Sequence, residues 1–430
     1  MTRVPLCLLL ILAAPCGFGA PPGVQTFPLL DRDTLPQPAS GHPGADEPVA
    51  PRGSREPAPV PQSHSAPIKD DRPLPPVAVE ARVPSVPVPA TEGVLAPPPP
   101  PPPAAGYATE PESPGPGSAA ILHACWTPEQ LAGTPADKAI QRHLRPDLAP
   151  PPDWAIREAE TALAPLAPGL RGSIRAVEPA DPQARLIALT FDLCEQANER
   201  AGYDAAVVNA LRAAGVKATF FAGGKWLRTH PEQAMQLMAD PRFEVGNHAW
   251  THGNLRVLEG GAARDQILWT QAEYQVLHRE LAGRPCAQSA GPDAWRQVPA
   301  WPAVFRFPYG TCNQASLDAV AGLGLAAIQW SLVTADPDKG RSAEAIARTV
   351  LAGVKRSRGT IIVAHANGRG VNTAKALALF LPTLQQQGYR FVTASELLAT
   401  GRPVAVQECY EVRPGDNRRY DALFGRGTGG

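Results

Sequence analysis

The sequence predicts a parallel α/β fold, either a barrel or a doubly wound sheet, preceded by a proline-rich region without a core. Between residues 183 and 400, strand and helix patterns alternate seven times, and the strands are continuous apolar runs, as is typical of parallel strands buried on both faces. A length of about 220 residues suits one barrel-sized domain. The preceding region is rich in Pro, Ala, Gly and Val, a composition that buries too little surface to offset its ordering entropy.

Helix signals separate the predicted strands. Gly215 ends the first helix, Pro231 lies in the first turn of the second, and Ser342 caps a later one. The predicted strands are 186–191, 217–223, 243–248, 304–307, 325–333, 359–365 and 389–394. The predicted helices are 203–214, 230–240, 262–281, 316–321, 343–355, 373–387 and 395–399.

The N-terminus has the layout of a secretory signal, with Arg3, an apolar run and then small residues. The run is too short for a comfortable transmembrane helix, and no later stretch is apolar enough to span a bilayer. A secreted or periplasmic protein is therefore predicted. A lipid anchor at Cys16 is the less favoured alternative, because Pro15 is a poor residue before a cleaved bond. The zero net charge gives no reason to expect nucleic acid as a partner.

Composition divides the 430 residues into five segments. The second segment is a semi-rigid, disordered spacer, the third packs on the α/β domain, and the last is polar, Gly-rich and expected to fray. The segments are a signal peptide at 1–20, a Pro-rich linker at 21–118, an N-terminal extension at 119–182, the α/β domain at 183–400 and a C-terminal tail at 401–430.

The cysteines beyond the signal region are odd in number, so at least one thiol is left over within the chain. Export permits disulfides, but their connectivity cannot be read from sequence. We expect Cys194 to pair with Cys312, because both follow strand ends that should meet at one face. The remaining cysteines are Cys125, Cys286 and Cys409.

Polar and ionisable residues follow five of the predicted strands. The segments at these strand ends read TFDLCE, NHAWTH, RFPYG, TADPD and VAH. Any one of them alone is explained by a helix cap or a solvated charge. In a parallel barrel, however, the carboxyl ends of the strands share one face, so five such segments indicate a functional site.

Two histidines in the strand-end segment NHAWTH could bind a metal ion. His248 and His252 lie four residues apart in a loop, where both rings can face one borderline-soft metal such as zinc. A zincin protease would need Glu directly after the first histidine, and this chain has Ala249 there. The alternative is a pair of surface histidines in a loop.

The five strand-end segments together resemble the polysaccharide deacetylase family, also called the NodB-homology or carbohydrate esterase family four domain. The resemblance covers residues 183–400. The resemblance implies a distorted (β/α)7-type barrel. It also implies a metal-dependent hydrolase that removes N-acetyl groups from amino sugars of a polysaccharide substrate, which could be peptidoglycan, a chitin-like polymer or an exopolysaccharide.

The resemblance implies roles for individual residues. His248 and His252 match metal ligands, and Asp192 matches the base that takes a proton from water. His365 matches the general acid for the leaving amine. The backbone N–H of Tyr309 would help to bind the oxyanion.

A second group of matches surrounds the predicted base. Arg306 matches the arginine that holds the base by a bidentate ion pair. Asp336 stands where the family has an acid that orients this arginine, with Asp338 as its substitute. Trp330 and Val363 match the apolar walls beside the acid.

The chain departs from the family at its metal site. Leu193 replaces the second Asp of the first motif, which is the family's third metal ligand. In one interpretation Glu195, Asp192 or an extra water completes the site, and Glu195 is favoured because it lies two residues on and faces the same side as residue 193. Zinc is then expected, with cobalt, nickel and manganese as alternatives.

Two other interpretations of the chain remain at the sequence level. In the first, the site has lost its metal and the domain binds glycan without cleaving it. In the second, a metal-dependent esterase acts on other acyl groups.

Overall fold

The computed structural model describes residues 117–145, 148–162 and 164–423. The predicted signal peptide, Cys16 and nearly all of the predicted linker lie outside these residues. Within the described ranges, no helix combines the length and the apolar character needed to cross a membrane.

The described residues form ten strands in one sheet. The strands are β1 (Ser173–Pro179), β2 (Leu186–Leu193), β3 (Ala218–Ala222), β4 (Phe243–Asn247), β5 (Val304–Phe305), β6 (Ala326–Ile328), β7 (Leu332–Val333), β8 (Gly359–His365), β9 (Arg390–Val392) and β10 (Gly401–Val406).

Helices connect and surround these strands. The α-helices are α1 (Ala119–Cys125), α2 (Pro128–Ala132), α3 (Asp153–Ala162), α4 (Ala205–Ala213), α5 (Gly224–Thr229), α6 (Pro231–Ala239), α7 (Gly260–Gly283), α8 (Pro285–Ser289), α9 (Pro292–Trp295), α10 (Gln314–Gly322), α11 (Ala343–Gly353), α12 (Thr373–Gln386), α13 (Ala394–Leu398) and α14 (Arg419–Leu423). Short 3-10 helices cover Pro135–Lys138, Pro168–Leu170, Pro308–Gly310 and Val354–Arg356.

The sheet closes into a seven-stranded barrel. The strands β1, β6, β5, β4, β3, β2 and β8 are neighbours in that order, and the pairing of β1 with β8 completes the ring. Every neighbouring pair is parallel except β1 and β8. The predicted distorted (β/α)7-type barrel is therefore confirmed, and the doubly wound sheet is excluded.

Strand register brings distant segments together at the carboxyl end of the barrel. Asp192, near the end of β2, lies opposite His365 at the end of β8. Asn247, at the end of β4, lies opposite Phe305 in β5. The residues that follow Asn247 and Phe305, which include His248 and Arg306, therefore also meet at the carboxyl end of the barrel.

Side chains alternate along β2 between two apolar layers. Phe191 and Leu193 pack outward, in the large core that the sheet shares with the surrounding helices. Leu186 and Ala188 point inward and join the interior side chains of the other barrel strands. This period of two places Asp192 on the inner side and Leu193 on the outer side.

The predicted strand 325–333 is wrong as a single element, because it forms two short strands. β6 pairs with β1 and β5, while β7 pairs with β8. β1 pairs with β8 only at Gly359 and Thr360, so β7 can pair with the same edge of β8 further along the strand. The chain crosses this gap between β6 and β7.

The prediction that the chain frays after residue 400 is wrong for residues 401–423. β10 pairs antiparallel with β1, and Cys409 forms a disulfide with Cys312. Because β1 and β10 both lie outside residues 183–400, the folded sheet extends beyond the predicted domain at both ends.

The predicted disulfide between Cys194 and Cys312 is also wrong. Within the described residues, two disulfides join Cys125 to Cys286 and Cys312 to Cys409. Cys194 is a buried free thiol. The first disulfide joins the C-terminal end of α1 to the start of α8, and so ties the N-terminal helices to the segment before β5.

Candidate active site

A buried carboxylate and a buried guanidinium meet at the carboxyl end of the barrel. Arg306 is fully buried and donates from Nη1 to Asp192 Oδ1 over 2.8 Å. Its Nε and Nη2 donate to the carbonyl oxygens of Ile328 and Gln329. The predicted ion pair is therefore present but not bidentate, since the other donors bind the backbone after β6. Burial lowers the pKa of Arg306, and the charge of Asp192 opposes that shift.

The two predicted metal ligands lie next to this pair. The ring centroids of His248 and His252 are 4.9 Å apart, and both side chains are buried. His248 donates from Nδ1 to the carbonyl oxygen of Arg306, which leaves its Nε2 3.7 Å from Asp192 Oδ2. A hydrogen bond at one ring nitrogen commonly orients the other nitrogen of a ligating histidine toward its metal.

Ring nitrogens of both histidines lack partners within the described part of the chain. His248 Nε2 and His252 Nδ1 are buried and make no hydrogen bond there. An unpaired buried polar atom costs about 1–3 kcal/mol, so two such atoms in neighbouring rings require an explanation. A cation bound by the two histidines would supply one.

The loop that carries the histidines has a strained backbone. Ala249 and His252 both have positive φ, of 64° and 59°. Asn247 stabilises the start of the loop by accepting from Ala249 N, and Gln266 of α7 accepts from the backbone N–H groups of Thr251 and Gly253. Strain of this kind is commonly held at functional sites by surrounding structure.

Asp336 lies beside His365 and does not orient Arg306, so that part of the prediction is wrong. His365 Nδ1 lies 3.0 Å from Asp336 Oδ1, and the His365 backbone N–H donates to Oδ2 over 2.8 Å. Thr334 and Thr373 donate their hydroxyls to the same carboxylate. The register of β2 and β8, together with the crossing from β6 to β7, creates this arrangement.

The pKa values of this second pair shift in opposite directions. Burial alone lowers the pKa of His365, but the charge of Asp336 outweighs burial and holds it well above the usual value. Burial alone raises the pKa of Asp336, but His365 and the Thr373 hydroxyl hold it below its usual value. Asp336 therefore favours the protonated form of the imidazole and holds the ring at one nitrogen.

The prediction that Glu195 ligates the metal is wrong, because its carboxylate is already engaged away from the histidines. Lys225 Nζ donates to Glu195 Oε1 over 2.7 Å, and Ala201 N donates to Oε2 over 2.9 Å. The Thr229 hydroxyl contacts both oxygens. The pair with Lys225 is almost completely buried.

Replacing Lys225 with methionine is expected to lower the free energy of unfolding by about 3–5 kcal/mol, because a buried carboxylate would lose its cation. Chemical denaturation measures this loss. Lys217→Met is the matched control: its pair with Glu396 is part-exposed, so a loss below about 1 kcal/mol is expected. Metal content should stay the same, and a parallel loss of metal would contradict the structural role given to Glu195.

Cys194 is the site residue that the sequence prediction missed. One ligand atom each from Cys194, His248 and His252 lies within 4.8 Å of the others. Burial alone raises the pKa of Cys194, but the surrounding imidazoles of His252, His248 and His365 hold it well below its usual value. Counting the strand alternation from Asp192 would have found this residue, because position 194 faces the same side as the base.

The three side chains fit a borderline-soft divalent metal. Thiolate and imidazole are preferred ligands of zinc, and a Cys-His-His set leaves a fourth position for water or substrate. His252 has a pKa lowered by burial, which favours the neutral ring that a metal requires. Leu193 cannot take part, because it packs in the outer apolar layer.

A cavity of about 540 Å³ opens beside these groups. Asp192, Cys194, His252 and His365 all line it. Trp330 and Val363 line it as well, in agreement with the apolar walls expected beside the acid. Further lining residues include Tyr309, Asp338, Glu411, Arg419 and Tyr420.

Tyr309 occupies a tight turn at the edge of the cavity. Its φ is 58°, and its ring lies 4.3 Å from the ring of His252. Gln196 donates to the Tyr309 hydroxyl over 3.3 Å. The exposed Asp338, the predicted substitute for Asp336, accepts from Gly340 N. Among the described residues it forms no hydrogen bond or ion pair with Arg306 or His365.

A mostly parallel barrel with an acid, an imidazole cluster and a separate carboxylate-bound imidazole at its carboxyl end has the construction of a hydrolase. The model of the polysaccharide deacetylase family matches residues 180–282, a range that contains Asp192, Cys194 and both histidines of the pair. Together with the relatives described next, this match shows that the chain belongs to the polysaccharide deacetylase family.

Three relatives share between 30% and 31% identity with this chain. The peptidoglycan-N-acetylglucosamine deacetylase PgdA of Listeria monocytogenes is 31% identical over 51% of this chain and 41% of its own length. A peptidoglycan-N-acetylglucosamine deacetylase of Bacillus cereus is 30% identical over 50% of this chain and 88% of its own. A chitooligosaccharide deacetylase of a Bradyrhizobium species is 31% identical over 43% and 78%. The chain thus spans less than half the length of the Listeria protein.

Proposed function

We propose that this protein is a metal-dependent hydrolase that removes acetyl groups from N-acetylglucosamine units of a polysaccharide, with peptidoglycan as the favoured substrate. One observation carries the proposal: Cys194, His252 and His365 line the same cavity as Asp192, and the buried His248, which completes the cluster, has its Nε2 3.7 Å from Asp192 Oδ2. The names of the similar deacetylases support the choice of an amino sugar.

Cys194, His248 and His252 would hold the ion. A divalent metal bound there supplies a Lewis acid that polarises the acetyl carbonyl and makes water easier to deprotonate. Thiolate and imidazole ligands favour zinc over magnesium or calcium, which prefer oxygen ligands.

Asp192 is proposed as the general base. Arg306 binds its Oδ1, so its Oδ2 is the oxygen that accepts a proton from the attacking water. Three hydrogen bonds hold the guanidinium in place, so the acceptor is positioned before substrate arrives. The backbone N–H of Tyr309 is proposed to donate to the carbonyl oxygen as it becomes negative.

His365 is proposed as the general acid. Asp336 fixes its Nδ1, so the other ring nitrogen is left to donate a proton to the amine of the leaving sugar. The raised pKa of His365 provides that proton at neutral pH. Base and acid come from neighbouring strands in register, so they can act on the two sides of one amide bond.

The protein is proposed to act outside the cytoplasm. Two disulfides join cysteines that are 161 and 97 residues apart in the chain. Such bonds persist in oxidising compartments, where a cell-wall polysaccharide is also found. The secretory signal predicted at the N-terminus agrees with this location.

Purified full-length protein should release acetate from N-acetylglucosamine oligomers and from peptidoglycan. Treatment with a chelator should abolish the release, and added zinc should restore it. Glycan binding without acetate release from the metal-loaded protein would contradict the proposal. Release from acetylated xylan or aryl esters, with none from amides, would contradict the assignment to amino sugars.

A further inference from the structure

The last described residues form part of the cavity. Residues 407–423, here called the C-terminal wall, follow β10 and contribute Glu411, Arg419 and Tyr420 to the cavity lining. This segment lies outside residues 180–282, which match the family model. It also lies beyond His365, the last residue along the chain that has a role in the proposed chemistry.

The C-terminal wall is anchored to the turn that carries Tyr309. The disulfide between Cys312 and Cys409 joins it to the chain just after that turn. The buried Asn417 donates from Nδ2 to the carbonyl oxygens of Gly310 and Cys409. The wall is consequently held next to the proposed oxyanion donor by a covalent bond and by a buried side chain.

A second set of contacts anchors the wall to the segment that follows His252. Arg256 lies 2.8 Å from Asp421 and donates from Nη1 to Asn417 Oδ1 over 2.9 Å. Asn254 donates from Nδ2 to Asp421 Oδ1 over 2.9 Å. The wall thus contacts both the metal-ligand loop and the Tyr309 turn, which fixes its position relative to the site.

The cavity face of the wall has the chemistry of a sugar-binding surface. The Tyr420 ring lies 5.5 Å from the Tyr309 ring, which itself lies 4.3 Å from the His252 ring. Tyr420 donates its hydroxyl to Glu411, whose carboxylate also contacts Arg419. An aromatic face packs on the apolar face of a pyranose, while planar charged groups can bind neighbouring hydroxyls in pairs.

We propose that the C-terminal wall binds the sugar unit next to the one that is deacetylated, with Tyr420 against its ring and Arg419 and Glu411 at its hydroxyls. This inference rests on the proposed function, because it assumes a glycan chain in the cavity. The Tyr309 ring contacts both the His252 ring and the Tyr420 ring, so Tyr420 adds a surface next to the one that borders the metal ligands and is assigned to the unit next to the reacting one.

Tyr420→Ala is the direct test, with Tyr389→Ala as the control because Tyr389 is also half-buried but lies just before β9, near the amino end of the barrel. Loss of one aromatic contact should weaken binding of N-acetylglucosamine pentamers about 3- to 10-fold. The change should appear in KM more than in kcat, should be absent for the monomer and should leave metal content unchanged. An equal effect on monomer and pentamer, or no effect, would overturn the inference.

The disulfide between Cys312 and Cys409 offers a second test, which leaves Tyr420, Arg419 and Glu411 unchanged. Replacing Cys312 and Cys409 together with serine should loosen the wall and weaken pentamer binding, whereas replacing Cys125 and Cys286 should not. Melting temperatures of both variants show whether each still folds at the assay temperature. Equal pentamer affinity in the two folded variants would count against a fixed wall.

Binding and turnover separate the two proposals. Calorimetric titration with oligomers reports on the wall without requiring acetate release. Wild-type protein that binds longer oligomers more tightly but releases no acetate would reject the proposed function and retain the wall. An unchanged KM for deacetylation of the pentamer by Tyr420→Ala would reject the wall as a sugar-binding surface and retain the proposed function.

Discussion

Replacing Cys194 with alanine is expected to deplete the protein of bound metal while the barrel stays folded. The thiol is the only sulfur donor in the cluster with His248 and His252, and two imidazoles alone form an incomplete site. Metal per chain, measured by elemental analysis after dialysis, should fall from near one to near zero. Unchanged metal content would remove Cys194 from the ligand set.

Two further variants test whether position 194 or position 193 supplies the metal ligand. Cys194→Asp supplies an oxygen donor on the inner side of β2 and should retain metal. Leu193→Asp places a carboxylate in the outer apolar layer, where an unpaired charge is costly, so it should destabilise the fold without restoring metal to Cys194→Ala. Cobalt-loaded wild-type protein should show a sulfur-to-cobalt charge-transfer band that Cys194→Asp lacks.

Asp192→Asn is expected to reduce acetate release about 10²- to 10⁴-fold, because an amide oxygen cannot act as the general base. The shape of the side chain is retained, and its oxygen can still accept from Arg306, so metal content should be unchanged. The buried guanidinium would nevertheless lose its counter-charge, and some loss of stability is expected.

Lys225→Met is the control that separates the loss of catalysis in Asp192→Asn from its loss of stability. It also removes one partner of a buried ion pair, but its pair with Glu195 lies away from the histidine cluster. A destabilised Lys225→Met that keeps its activity at low temperature, beside an inactive Asp192→Asn, supports the base assignment. An Asp192→Asn variant with more than a tenth of wild-type activity would reject it.

The disulfide pattern leaves a thiol free to serve the proposed metal site. Among the described residues, the other four cysteines are joined in two disulfides, which leaves Cys194 without an oxidation partner inside the fold. Its burial also limits access by external oxidants and thiols. The sequence-based pairing with Cys312 would have removed the thiol from the site.

The sequence alone determined the parallel α/β pattern, the position of the site and most of its side chains. Apolar runs alternating with helices predict parallel strands, and parallel strands place their carboxyl ends together, so Asp192, His248, His252, Arg306 and His365 were all predicted to meet. The structure brings them together. Local patterns were sufficient for this because each residue follows a strand whose direction the pattern itself indicates.

Only the tertiary structure decided which side chains contact one another. Asp336 binds His365 because the chain crosses from β6 to β7 beside β8, and Glu195 turns away because Lys225, distant in sequence, binds it in the interior. The C-terminal wall depends on contacts with residues more than a hundred positions away in the chain. Strand alternation tells which face a side chain takes, but the partner that it finds there depends on packing between distant segments, which no local pattern encodes.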